Sequence, residues 1–141
     1  MRQDNWDALR AVYVQIRSAT FCEQVNAYMQ HLGWDSSTFE EQTGQSENTY
    51  NCVVRGDLIS PSKRRAMAFC IGLGLDYRMS IDLLDSVGYT LSPWSETDTA
   101  YDYVLLSPNI QGLEDCNGEL EARGVKPLRV EEKGSYRKKT A

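Results

Sequence analysis

The sequence is short of the groups from which catalytic sites are built. It holds a single histidine, His31, and four cysteines, Cys22, Cys52, Cys70 and Cys116. The cysteines lie 30, 18 and 46 residues apart, so none forms a CxxC pair or a Cys/His pair with zinc-ligand spacing. They read as thiols of a reduced chain, packed as small apolar groups. His31 has no Ser or Cys near it in an elbow or triad context, and its place near a helix end lets the imidazole face the last carbonyls. GxGxxG, GxxxxGKS/T and HExxH are absent. A non-catalytic protein with no cofactor and no metal is expected. No window approaches the ~18 apolar residues of a membrane span, and no apolar run follows the charged residues at the N-terminus. The expected compartment is the cytoplasm, with no membrane contact.

What is present suits one soluble domain with a short extension. Of 141 residues, 41% are hydrophobic and 25% charged, and a chain this long can bury a core without staples. Basic residues are in deficit, 15 Lys and Arg against 20 Asp and Glu. The deficit is uneven. Residues 21–56 carry Glu23, Asp35, Glu40, Glu41 and Glu47 against Arg55 alone. Residues 93–128 carry seven acids and two bases, whereas residues 129–141 carry five bases and two acids. The overall field repels a polyanion, so any nucleic-acid contact must use local basic clusters.

Helix signals follow one another along the chain, and strand signals are thin. Trp6, Leu9, Tyr13 and Ile16 fall at helical spacing. Thr20 with Glu23 makes a capping box; Val25, Tyr28, Met29 and Leu32 mark the next apolar face, and Gly33 ends it. Asp35 caps a short helix to Thr43 with Gly44 as its exit, and Ser46 caps another to about Arg55 with Gly56 as its exit. Ser60-Pro61 predicts an N-cap and first-turn proline for a helix to about Leu73. Asp76 predicts a helix through Val87, closed by Gly88. After Tyr89-Thr90-Leu91-Ser92-Pro93 the composition shifts. Ser95 caps a helix carrying Tyr101, Val104 and Leu105, and Pro108 stops it. A last helix holds Leu113, Cys116 and Leu120, with Gly118 weakening it. The chain divides into an N-terminal helix at 1–19, a central domain at 20–92, a C-terminal helical extension at 93–128 and a basic tail at 129–141, expected to be disordered. Trp6, Trp34 and Trp94 read as core or joint anchors.

The most informative stretch runs from Asp35 to Gly56. Two short capped helices meet across Thr43-Gly44-Gln45, with Gly44 where a tight turn needs positive φ and with Phe39, Tyr50 and Val53 as inward anchors. In this stretch the sequence resembles the Cro/repressor-type (Xre-like) helix-turn-helix family. That family reads Gly-apolar-Ser-x-x-x-Ile-Ser-x-Ile-Glu-x-Gly across turn and recognition helix. This chain has Gly44-Gln45-Ser46-Glu47-Asn48-Thr49-Tyr50-Asn51-Cys52-Val53-Val54-Arg55-Gly56. The resemblance covers about residues 20–90. It is nearest to small bacterial members with a C-terminal helical extension, whose joining segment is similar to Val87-Gly88-Tyr89-Thr90-Leu91-Ser92. It implies an all-α, lambda-repressor-like helix-turn-helix bundle with an N-terminal helix and a C-terminal helical extension.

Carried over by position, the resemblance implies base-edge contacts from Ser46, Glu47, Asn48, Asn51 and Cys52. It implies phosphate contacts from Ser36, Arg55, Ser62, Lys63 and Arg64. Independently, Lys63-Arg64-Arg65 crowds cations into the first turn of a helix, where the macrodipole disfavours them and the free N–H groups favour phosphate. The opposing reading is a solvated face whose cations find Asp or Glu partners. The function implied is a sequence-specific regulator of transcription that binds double-stranded DNA as a homodimer. The alternative is a protein-interaction module that has kept the fold and lost DNA binding. It rests on the acidic balance of residues 21–56 and on a recognition helix without a cation before Arg55. The acidic C-terminal helices offer a surface for a protein partner.

Overall fold

A computed structural model of the chain describes the backbone of residues 2–128 and the side chains from Leu9 onward. The basic tail and the side chain of Trp6 therefore lie outside the described residues. Among the described residues there are eight helices and no strand. They are α1 (Arg2–Ile16), α2 (Phe21–Leu32), α3 (Ser36–Thr43), α4 (Glu47–Arg55), α5 (Lys63–Leu73), α6 (Tyr77–Asp85), α7 (Glu96–Leu106) and α8 (Leu113–Ala122). None is long and apolar enough to cross a membrane.

Local chemistry explains most boundaries. Thr20 Oγ1 accepts from the Glu23 N–H at 3.2 Å while Glu23 Oε1 accepts from the Thr20 N–H at 3.0 Å, so the capping box closes. Asp35, Ser46, Asp76 and Ser95 cap α3, α4, α6 and α7 as their positions predict. Two boundaries differ from expectation. The N-cap of α5 is Ser62, whose Oγ accepts from the Arg65 N–H at 3.1 Å, and Ser60-Pro61 stay outside the helix. Pro61 is buried and its carbonyl accepts from the Tyr89 hydroxyl at 2.8 Å, a tertiary bond that outweighs its first-turn preference. Helix α6 ends at Asp85 rather than Val87; the chain then turns through Gly88 (φ +84°), with the Tyr89 N–H on the Leu84 carbonyl at 3.0 Å.

Helix α5 is the hub. Every residue from Ala66 to Leu73 is buried, against the one-sided burial of a surface helix. It packs against α2, α3, α6 and α8. Phe69 meets Phe21 of α2 edge-on at 5.1 Å and Phe39 of α3 at 5.6 Å between ring centroids. One apolar core runs from Leu9 of α1 to Leu128 beyond α8, so the C-terminal extension shares the core of the central domain. Asn117 of α8 helps close it, its Oδ1 accepting from the Leu128 N–H at 2.6 Å. Trp34 packs against the core as an anchor. Trp94 does not: it is 92% exposed, and Tyr89 and Leu91 anchor that joint instead.

Two glycines give opposite predictions. A Cβ at Gly72 would sit 2.6 Å from the Gln42 carbonyl oxygen and 2.9 Å from Thr43 Cγ2, whereas a Cβ at Gly118 meets nothing within 4 Å. Alanine gains about 1 kcal/mol of helix propensity at either position. At Gly72 that gain is outweighed by overpacking against backbone, about 1–3 kcal/mol. Urea denaturation should therefore show Gly72→Ala destabilised by about 1–3 kcal/mol and Gly118→Ala stabilised by roughly 0.5–1 kcal/mol. Equal effects of the two would contradict the α3–α5 contact.

Candidate functional site

The candidate site is built on α3, the three-residue turn Gly44-Gln45-Ser46, and α4. Asp35 Oδ1 accepts from the Thr38 N–H at 2.9 Å. These backbone and side-chain bonds from Thr38 hold its carboxyl below the ordinary range. The cap is thus intact above the ordinary carboxylate pKa and is lost as the pH falls through the lowered one. Gly44 takes φ +70° and its N–H bonds the Glu40 carbonyl at 2.9 Å. The buried Thr43 hydroxyl donates to the Phe39 carbonyl at 2.8 Å and accepts from the Gln45 N–H at 3.2 Å. The turn is therefore knitted on both sides.

Gln45 is buried, and its Nε2 donates to the Arg65 carbonyl at 3.4 Å. This bond places the start of α4 beside the first turn of α5. Ser46 Oγ accepts from the Thr49 N–H at 3.3 Å as N-cap of α4. Thr49 and Val53 are buried, Phe39 meets Tyr50 edge-on at 5.4 Å, and Asn26 of α2 donates to the Val53 carbonyl at 2.8 Å. Helices α2 and α3 thus fix the inner face of α4, and α5 holds the turn before it.

The outer face carries Glu47, Asn48, Asn51, Val54 and Arg55, all exposed, with Cys52 half-buried at its edge. Four of the five base-contacting candidates, Glu47, Asn48, Asn51 and Cys52, fall on or beside this face. The fifth, Ser46, uses its oxygen as the cap. Arg55 donates from Nε to Asp57 Oδ2 at 2.9 Å, both side chains being about 60% exposed. Its Nη2 lies 3.8 Å from Cys52 Sγ. Ser36 opens α3, and Ser62 is the exposed cap of α5.

Lys63 is placed differently from its phosphate-contact expectation. Its ammonium donates to Asp98 Oδ1 and Oδ2 at 3.0 Å each and to the Thr90 carbonyl at 2.9 Å, and it lies 5.7 Å from the Tyr89 ring centroid. Asp98, on α7, is buried, and its Oδ2 also accepts from the Ser92 N–H at 2.9 Å. The opposing expectation of cations matched to acids is met at this residue, but on a largely buried surface rather than a solvated face. Arg64 and Arg65 are half-buried beside it. Neither Asp98 nor Gln45 was singled out by sequence reasoning. Asp98 lies 35 residues from Lys63, and no local spacing announces the pair. Among the described residues no group of three or more His, Cys, Asp or Glu side chains is placed to hold a metal ion.

The thiols report the orientation of α4. Cys22, Cys70 and Cys116 are buried, and burial pushes the Cys22 thiol up. Cys52 alone is half-exposed. Alkylation with iodoacetamide, read by peptide mass spectrometry, should modify Cys52 first and the other three only after local opening. Equal early labelling of Cys22 would contradict the packing on α2 of the segment after α4, whose Leu58 carbonyl accepts from the Cys22 thiol at 3.3 Å. In comparisons with known proteins the chain matches no family model, no curated protein and no solved structure.

Proposed function

We propose that the chain is a non-catalytic, sequence-specific DNA-binding protein, a transcriptional regulator in the manner of repressor-like helix-turn-helix proteins, with α4 entering the major groove. The observation that carries this reading is the outer face of α4. Glu47, Asn48 and Asn51 are exposed polar side chains one to four residues apart on a helix whose inner face is pinned from α2 and α3 and whose leading turn is held from α5. Asn bonds adenine bidentately at N6 and N7, and Glu accepts from cytosine N4. Nine residues at 1.5 Å rise span about 13 Å, on the scale of the ~12 Å major groove.

Phosphate anchoring falls to Arg55, Ser36 and Ser62 more readily than to Lys63. The Arg55–Asp57 pair is open to water, and such pairs contribute about 0–1 kcal/mol, so Arg55 exchanges Asp57 for a phosphate at little cost. The net charge of −5 makes affinity for random duplex weak. Pairing two chains on two half-sites multiplies it. Exposed Val14 on α1 and exposed Tyr103 and Leu106 on α7 are the apolar surfaces from which a homodimer would be built.

A second reading, a protein-interaction module on the same fold, is favoured by one observation: Lys63 is held by Asp98. The two readings separate on a salt titration of duplex binding. Each phosphate contact contributes about −0.9 to the slope of log K against log salt. Arg55→Ala should make the slope shallower by about 0.9. Asn51→Ala should cost roughly 1–3 kcal/mol on a selected operator and little on random duplex. Absence of binding at low salt would overturn the DNA reading and favour the module.

A further inference from the structure

We infer that the Lys63–Asp98 pair is an autoinhibitory latch, in which α7 withholds a phosphate-binding cation from the DNA-reading face; this rests on the DNA reading above. The geometry has two parts. Through Gln45 and the Arg65 carbonyl, the first turn of α5 lies against the turn that starts α4. Lys63 opens that same turn of α5, two residues before Arg65. That cation is turned to the C-terminal extension, where one carbonyl and both oxygens of one carboxylate take its three protons.

The latch is stronger than the pair at Arg55 for a physical reason. Asp98 is 9% exposed in its side chain and Lys63 28%, against about 60% for both Arg55 and Asp57. A carboxylate so buried is stable when its partners are all present, and removing the cation strands it. Asp98 holds two partners besides the Ser95 cap, the Lys63 ammonium and the Ser92 N–H. Any event that neutralises or displaces Asp98 frees both the joint at residues 89–95 and the cation. The C-terminal extension is then a regulatory element for DNA affinity.

The latch also has an approach from solvent. Asp98 lines a cleft of about 360 Å³ together with Tyr77, Pro93, Thr99 and Asp102. Tyr77 donates to Asp102 across it at 2.6 Å. Trp94, next to the lining residue Pro93 in sequence, is exposed.

The test is duplex binding by the full chain as a function of salt, for wild type, Asp98→Asn, Lys63→Ala and the double variant. The latch predicts that Asp98→Asn steepens the slope by about 0.9 and tightens binding. Adding Lys63→Ala removes that gain, and Lys63→Ala in the otherwise intact chain leaves the slope unchanged. A slope that becomes shallower by about 0.9 in Lys63→Ala alone would overturn the latch, because Lys63 would already be on the DNA. If wild type binds and a folded Asp98→Asn does not exceed it, the latch falls and the DNA reading stands. If neither binds, both fall. Reductive methylation of the wild-type chain needs no variant. Lys63 should react more slowly than the exposed Lys126, equally with and without random duplex. Protection of Lys63 that appears only with duplex would overturn the latch.

Discussion

The close approach of α3 to α5 at Gly72 is the constraint on which the rest of the structure depends. Only a hydrogen fits between the α5 backbone and the Gln42 carbonyl. That proximity seats Phe39 on Phe69 and brings the turn after Thr43 within reach of Arg65. From there the position of α4 follows. Tyr50 closes on Phe39 from one side, and Asn26 holds the Val53 carbonyl from the other. A reading helix needs its inner face immobile, because side chains on a mobile helix spend binding energy on ordering. Here the immobility comes from a backbone contact rather than from charge.

Electrostatics then sets the exposed Arg55 apart from the enclosed Lys63. Arg55 sits in water with an exposed acid for company, while Lys63 is enclosed by α7 and the joint before it. The same chemical pairing therefore has different consequences at the two places. Screening and hydration make the first cheap to exchange, and burial of Asp98 makes the second costly to open. Under the proposed DNA reading, so acidic a chain would engage duplex through a few such local cations and through directional bonds from Asn48 and Asn51.

Much of the fold was legible because helix ends are written locally. Thr20 with Glu23, Asp35, Ser46, Asp76 and Ser95 each meet their N–H partner three residues on, so a one-dimensional reading finds them. The start of α5 was misplaced by two residues because two serines compete there. The choice is made by the Tyr89 hydroxyl on the Pro61 carbonyl, 28 residues away. The inner face of α4 was legible in Tyr50 and Val53 as inward anchors, whereas the outward positions of Asn48 and Asn51 came from the resemblance; both residues are exposed. The fate of Lys63 was not, since its acid lies beyond a composition shift on another helix. Trp94 was misread because burial of a tryptophan is a tendency, and Leu91 and Tyr89 already fill that joint.

Whether α4 and the start of α5 form a DNA-binding face is open to amide chemical-shift mapping of the full chain, titrated with random-sequence duplex at low salt. If they do, the largest shifts fall at residues 46–51 and 62–65, with α8 unmoved. Shifts concentrated on α7 and α8, or none at any residue, would contradict the proposed DNA reading.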